Sequence, residues 1–343
     1  MVRKSWKCLA GLAVCTFAMV WSSLTVHAEP GVTGYPKVVQ APGYEGEHYL
    51  TVENAKEWEQ QDEAVKKRGF IVNEPAGFYE LNGQVVYLRF SQIVRMTIMD
   101  GYFLDENGLV HPYNAGTKAA IDAQVNAALA QIKAQAAALY GIDFSFRKDY
   151  DACSNYRFVR NVLSNLGEYP AGSVPVIANA TKAQTGKNLK FRQRFASNEW
   201  VLMDGSVYVG IYSYDSNVVQ TDTDPHTTAH EMGHGMEAVL NAASNGALRN
   251  VFRQLNGGAG YSQYYFYSGN EELRQNVPDC FVSDYAATSY AEDFAEIFAE
   301  AMLCDAAEMA EYYQNGYWSG AVYQKVMYVK QLFNQYAGAA ILN

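Results

Sequence analysis

Two histidines one helical turn apart constrain this chain more than any other feature of its sequence. His230 and His234 are four positions apart, with Glu231 beside the first of them, and Asp224 and Pro225 precede them as a helix N-cap and a proline at the first helical position. On a helix, both imidazoles project from one face and can bind one Zn²⁺ ion, and Glu231 is then placed as a general base. The pattern therefore predicts an HExxH helix with a zinc site.

The same segment has the apolar side that a packed helix needs. Met232, Met236, Val239 and Leu240 recur at helical spacing on a face other than that of the histidines. The alternative interpretation is a helix with two surface histidines and no metal. His226 lies on the histidine stripe in the first turn, and we expect it at the rim of the site or in contact with a ligand rather than as a ligand.

A catalytic zinc site with two histidines needs a third protein ligand. The metzincin pattern would place a histidine at position 240, which is Leu240, and no histidine follows His234, so the third ligand should be a carboxylate. Glu292, Glu296 and Glu300 recur one helical turn apart beside an apolar face. We expect Glu292 to bind zinc, Glu296 to accept a hydrogen bond from a ligand imidazole, and Glu300 to lie on a solvated face.

Glu292 has an alternative role. Ser289 precedes it by three positions, which is the spacing of a capping box, in which the glutamate closes on the helix start and needs no metal.

These motifs together resemble the anthrax-lethal-factor-like zinc metallopeptidases, gluzincin-type zincins that are similar in their catalytic core to the secreted Pro-Pro endopeptidases of gut clostridia. The resemblance rests on the HExxH stretch, on the E-x-F-A-E helix that begins at Glu292, and on Tyr285, seven positions before that glutamate. It implies that His230, His234 and Glu292 bind one zinc ion, that Glu231 is general base and acid, and that Tyr285 supports the oxyanion. In organisation it extends over residues 116–343.

Changes in composition and the positions of turn-forming residues divide the chain into four parts. Residues 1–28 have the charged start, apolar core and small-residue exit of a secretory signal peptide, although an uncleaved membrane anchor is the alternative. Residues 29–76 predict a linker and a charged helix, residues 77–115 a small β-hairpin subdomain, and residues 116–343 the zincin-like domain. The predicted class is α+β, with a β-rich N-terminal subdomain before a catalytic domain of small mixed sheet, active-site helix and helical C-terminal part.

A hairpin turning at Asp204-Gly205 precedes the active-site helix in the sequence. We expect its second strand to be the sheet edge along which an extended substrate pairs through main-chain hydrogen bonds. The residues predicted for this edge are Val207, Tyr208, Val209, Gly210 and Ile211.

The sequence leaves two further sites open. Cys280 and Cys304 bracket the glutamate motif and could form a disulfide, whereas the alternative is that they and Cys153 are buried thiols. A cluster of acidic residues before the active-site helix could bind structural Ca²⁺, although a solvated acidic loop is the simpler interpretation. This cluster comprises Asp215, Asp222 and Asp224.

The net charge and the predicted signal peptide limit which partners the protein can have. The chain has 36 acidic and 26 basic residues, a net charge of −10, which argues against nucleic acid. We expect a secreted or cell-surface zinc endopeptidase acting on protein or peptide substrates, with no membrane span after signal cleavage. The Gly-aromatic β subdomain could associate with a cell wall, and the simpler interpretation is an ordinary small β subdomain. The alternatives are a non-catalytic surface- or wall-binding protein and another zinc hydrolase such as a peptidoglycan amidase.

Overall fold

The computed structural model describes residues 77–81, 84–89, 92–99, 101–195, 199–201, 204–215, 218–221, 224–267 and 276–343. The predicted signal peptide, linker and charged helix, residues 1–76, lie outside the described residues.

Two short antiparallel sheets open the described chain. The first has the order β1-β2-β3 and the second the order β4-β5-β6. Their strands are β1 (Gly77–Leu81), β2 (Gln84–Arg89), β3 (Gln92–Ile93), β4 (Thr97–Met99), β5 (Tyr102–Leu104) and β6 (Val110–Pro112).

The predicted hairpins are present in these sheets. Leu81 pairs with Gln84, so β1 and β2 form one hairpin, and β5 pairs with β6 around Gly108, which has a φ of 85°. Met96 and Phe103 are buried in the same core as the helices that follow, so this β-rich part packs onto the rest of the described chain.

Helices make up most of the remaining structure. The predicted active-site helix begins at Pro225, with Asp224 as its N-cap. The helices are α1 (Lys118–Tyr140), α2 (Ala152–Gly167), α3 (Ser173–Thr185), α4 (Pro225–Ala243), α5 (Ala247–Leu255), α6 (Tyr264–Tyr267), α7 (Tyr290–Leu303), α8 (Ala306–Gln314) and α9 (Gly320–Ala337).

A mixed sheet completes the α+β architecture. Its order is β11-β10-β8-β7, with β9 also paired to β10; β7, β8 and β10 are parallel, and β9 and β11 run antiparallel to β10. The strands are β7 (Asp143–Ser145), β8 (Lys190–Phe195), β9 (Glu199–Val201), β10 (Ser206–Asp215) and β11 (Val218–Thr221).

The role predicted for the second hairpin strand is wrong. The hairpin between β9 and β10 exists, but β10 is an interior strand, because β8 pairs along one side of it and β9 and β11 both fold back onto the other. Val207, Tyr208 and Ile211 have partners on both sides, so their main chain offers no free edge, and Val209 and Gly210 lie between the ends of β9 and β11. Alternation identifies a strand, but not its position in a sheet.

The close crossing of α4 and α7 is the centre of the fold. Gly233 makes it possible: a Cβ at this position would lie 3.1 Å from Ala295 Cα and 3.1 Å from Phe298 Cβ. The apolar faces predicted for both helices are buried there, including Met232 and Leu240 on α4. The crossing brings the histidine helix and the glutamate helix together.

Two predictions, one about a disulfide and one about a membrane-spanning segment, can be compared with the described residues. Cys153, Cys280 and Cys304 are all free thiols, so the disulfide does not form; Cys153 and Cys304 are buried as the alternative expects, whereas Cys280 is half-buried. In the part of the chain that the structure describes, none of the helices combines the length and apolarity needed to cross a bilayer.

Candidate metal centre

Helix α4 begins as its sequence predicts and presents both histidines on one face. The Asp224 side chain accepts a hydrogen bond from Thr227 N at 2.6 Å, and Pro225 occupies the first turn. The rings of His230 and His234 lie edge to face with centroids 4.8 Å apart. His230 is buried, whereas the His234 side chain is 21% exposed, so the pair lies at the boundary between core and solvent.

Glu292 reaches both rings from the first turn of α7. Its Oε2 lies 3.0 Å from Nε2 of His230 and 3.4 Å from Nε2 of His234. Ser289 caps the same helix by accepting a hydrogen bond from Glu292 N at 3.2 Å, so the serine half of the alternative capping box exists while the carboxylate points at the histidines.

These three side chains fit a metal ion. The ligand atoms of His230, His234 and Glu292 lie within 4.8 Å of one another, and they are the one such group of His, Cys, Asp and Glu found among the described residues. Glu292 Oε2 is buried and close to both nitrogens, yet neither contact has the geometry of a hydrogen bond. Two imidazole nitrogens and one carboxylate oxygen are a donor set typical of catalytic zinc. In the acidic cluster considered for calcium, Asp224 caps α4, and Asp222 lies outside the described residues.

Glu296 contacts Nδ1 of His230, the ring nitrogen that faces away from Glu292. Its Oε1 lies 2.8 Å from His230 Nδ1, and its Oε2 accepts a hydrogen bond from Ser283 Oγ at 2.8 Å. Ser283 Oγ in turn accepts from Ala286 N at 2.9 Å. The sequence does not predict the role of Ser283; its only pointer to the site is its position two residues before Tyr285.

Burial and contact oppose each other in setting the charges of the metal-free site. Burial lowers the pKa of His230, but its close contacts with the carboxylates of Glu292 and Glu296 outweigh burial and raise the pKa to about 9. Burial likewise raises the pKa of Glu292, but its contacts with His230 and His234 lower that pKa to about 2. Without metal, a proton on His230 therefore balances the carboxylates around it.

Glu231 and Tyr285 lie beside these ligands. Glu231 is buried on α4, and its negative charge is among the causes that raise the pKa of His230. The ring of Tyr285 lies 5.7 Å from that of His230, at an interplanar angle of 33°. Phe266 packs edge to face on Tyr285, with centroids 5.1 Å apart. The structure thus brings together the residues that the sequence predicted for catalysis, with Phe266 as an addition.

The position predicted for Glu300 is wrong, while His226 lies where a rim residue should. Glu300 is buried, not solvated, because α7 is covered on this side by α4. His226 Nε2 lies 3.3 Å from Glu300 Oε1 and is partly exposed. Cys304 Sγ donates to Glu300 Oε2 at 3.2 Å. These contacts continue the polar row of α7 beyond Glu296.

Neither a protein-family model nor a curated protein matches the chain. Among solved structures, it is similar to a candidate zinc-binding metallo-peptidase from Bacteroides caccae, at 14% sequence identity, over 64% of this chain and 88% of that chain, with a TM-score of 0.41.

Proposed function

We propose that this chain is a secreted zinc-dependent endopeptidase that hydrolyses peptide bonds of extracellular or cell-surface proteins. The observation that carries the proposal is the position of Glu292 Oε2, 3.0 Å from His230 Nε2 and 3.4 Å from His234 Nε2, in a site that also contains Glu231. The zincin-like assignment rests on this site and on the motifs. Secretion rests on the leader pattern of residues 1–28.

The three ligands would hold one zinc ion at the boundary of core and solvent. A zinc ion in such a site supplies Lewis acidity, which lowers the pKa of a water molecule and polarises a carbonyl group. Glu296 would keep the proton of His230 on Nδ1, so that Nε2 faces the ion.

Glu231 and Tyr285 would carry out the proton transfer and charge stabilisation. Glu231 takes a proton from the attacking water and returns it to the leaving amine, so that the peptide bond is replaced by a free carboxylate and a free amine. Tyr285 donates a hydrogen bond to the oxygen that becomes negative in the tetrahedral transition state. Phe266, stacked on Tyr285, restricts that ring.

Two substitutions, each paired with metal analysis, test the proposal. Glu231→Gln should retain zinc and lose about 10²-fold or more in peptide cleavage, because the general base is removed while the ligands stay. Glu292→Gln should lose both zinc and cleavage. Glu311→Gln, at an exposed position on α8, is the matched control and should change neither.

The substrate class is read out by mass spectrometry of peptide mixtures and of peptidoglycan fragments, each with and without a zinc chelator. Chelator-sensitive cleavage within peptides supports an endopeptidase. Release of products from wall fragments alone would assign the site to an amidase, and cleavage that persists in Glu231→Gln would reject the general base.

A further inference from the structure

A buried ion pair includes the residue that follows Glu292, the proposed metal ligand, in the chain. Asp293, the next residue of α7, and Lys325 of α9 both have side chains that are 0% exposed. The Lys325 ammonium donates to both carboxylate oxygens of Asp293, at 2.9 Å and 2.7 Å. Neither residue touches His230 or His234 in any contact found among the described residues, so the pair is outside the site itself.

The pair extends into a network that crosses several segments. Tyr261 donates its hydroxyl to Asp293 Oδ2 at 2.9 Å, and the Asn256 amide donates to the Tyr261 hydroxyl oxygen at 2.9 Å. Lys325 also donates to the carbonyl oxygen of Cys280 at 2.8 Å. The ion pair is therefore hydrogen-bonded to two segments outside α7 and α9: the loop at Tyr261 and the segment that starts at Cys280.

Segment 280–288, which we call the tyrosine segment, carries Tyr285 to the metal site. Lys325 holds its start at Cys280, and Ser262 N donates to Ala287 O at 2.9 Å near its end. Inside these ends, Ser283 hydrogen-bonds Glu296. Buried Phe281 anchors the back of the segment, with its ring 5.3 Å from that of Tyr261. The tyrosine segment is thus fixed between the network and the site.

Stability alone is a weak reason for this arrangement. Removing two charges from water is costly, and well-packed apolar residues of similar volume often replace a buried ion pair without loss of stability. Lys325 is surrounded by aromatic rings, with its ammonium 5.2 Å from the centroid of Phe252 and 5.0 Å from that of Phe281, so apolar packing would suit the position. What an apolar pair could not supply is directed hydrogen bonds to Tyr261 and Cys280.

We propose that Lys325, Asp293 and Tyr261 are positioning residues, whose hydrogen bonds fix the tyrosine segment relative to α7 and thereby set the place of Tyr285 beside His230. The proposal rests on the proposed function for its effect on turnover, but its structural part can be measured without any activity. A displacement of about 1 Å in a group that stabilises the transition state can lower turnover by up to 10²-fold.

Tyr261→Phe is the mildest test, because it removes one hydroxyl and keeps the ring against Phe281. We expect kcat to fall about tenfold with KM within about a factor of two and zinc content unchanged. Hydrogen exchange of the amides of Ala286 and Thr288 should become faster, while that of α4 stays the same. Tyr113→Phe is the matched control, since it removes another tyrosine-to-aspartate hydrogen bond, 2.7 Å to Asp122, outside the network.

A double variant separates positioning from stability. Lys325→Met alone leaves a buried, uncompensated carboxylate and is expected to unfold at lower temperature. Lys325→Met combined with Asp293→Leu removes both charges, and we expect its Tm to return toward that of the wild type, while kcat stays reduced about tenfold and exchange in the tyrosine segment stays fast. Recovery of kcat and of exchange protection in the double variant would overturn the proposal.

The two readouts distinguish failure of this proposal from failure of the proposed function. If Tyr261→Phe leaves both kcat and the exchange of the tyrosine segment unchanged, the positioning role is wrong, whether or not the double variant folds. If the wild-type chain cleaves no peptide, the proposed function fails, and faster exchange of the tyrosine segment in Tyr261→Phe, with unchanged α4, would still support the positioning network.

Discussion

The carboxylate of Glu296 lies 2.8 Å from Nδ1 of His230 and thereby determines which nitrogen of that ring can face the metal site. With a proton shared between Nδ1 and Glu296, the neutral ring presents the lone pair of Nε2, the atom that lies 3.0 Å from Glu292. Ser283 binds the other oxygen of Glu296, so the carboxylate itself is held from two sides.

Replacing Glu296 should therefore weaken metal binding without removing a ligand. For Glu296→Ala, we expect zinc affinity, measured by competition with a chromophoric chelator, to fall by about 10- to 100-fold, because His230 loses the partner that fixes its tautomer and ring orientation. Glu311→Ala, on the exposed side of α8, should bind zinc as tightly as the wild type. An unchanged affinity in Glu296→Ala would mean that the contact with His230 does not orient a ligand.

Much of the metal site could be predicted because its signals are local. His230 and His234 are related by a helical turn, as are Glu292 and Glu296, so helical periodicity alone places each pair on one face. Residues whose partners are distant in sequence gave no such signal. Lys325 meets Asp293 across two helices, and a lysine in an amphipathic helix is ordinarily expected in solvent.

The sheet illustrates the same limit. The alternation in β10 predicted a strand, but its place in the sheet depends on β8, β9 and β11, whose pairing is not encoded within β10 itself. The helical spacing of Glu292, Glu296 and Glu300 predicts one polar face with Glu300 in solvent, whereas the crossing of α4 buries Glu300.

Gly233 should tolerate no larger side chain, because α4 and α7 cross closely at this residue. In Gly233→Ala the added methyl group would lie 3.1 Å from Ala295 Cα and from Phe298 Cβ, tighter than ordinary van der Waals contact. We expect the overpacking to cost about 1–3 kcal/mol, more than the roughly 1 kcal/mol that alanine gains over glycine in a helix. The helices should separate, and zinc affinity should fall with thermal stability.

Gly167→Ala is the control for this substitution. Gly167 ends α2, and a methyl group added there would meet no neighbouring atom within 4 Å, so alanine should be neutral or stabilising in the same thermal melts. Equal stability of Gly233→Ala and the wild type would show that the crossing can relax without cost.

Tyr285→Phe should separate transition-state stabilisation from metal binding. The ring keeps its place between His230 and Phe266, so zinc content and stability should stay at wild-type values, while loss of the hydroxyl should lower kcat by about 10²-fold. Tyr323→Phe, half-buried on α9, is the control. If kcat of Tyr285→Phe equals that of the wild type, Tyr285 packs beside the site without donating to the substrate.

Metal-free protein should lose stability as the pH rises above neutrality. Since the pKa of His230 is raised from its ordinary value of 6.5 to about 9, the folded state binds the proton more tightly than the unfolded state, and this contribution is fully present below about pH 6.5 and lost as the pH rises through about 9. Its size is on the order of 3 kcal/mol. The pKa of Glu292, lowered to about 2, adds stability above its ordinary value of 4.5 that is lost only as the pH falls toward 2, so it does not offset the alkaline loss.

Thermal melts of chelator-treated protein between pH 6 and 9.5 should show a falling Tm for the wild type and a much weaker fall for His230→Gln. Parallel curves for the two proteins would mean that His230 is not the group that holds this proton. Added zinc should abolish the fall of Tm with pH in the wild type, because a metal ion bound to Nε2 excludes the proton from that nitrogen.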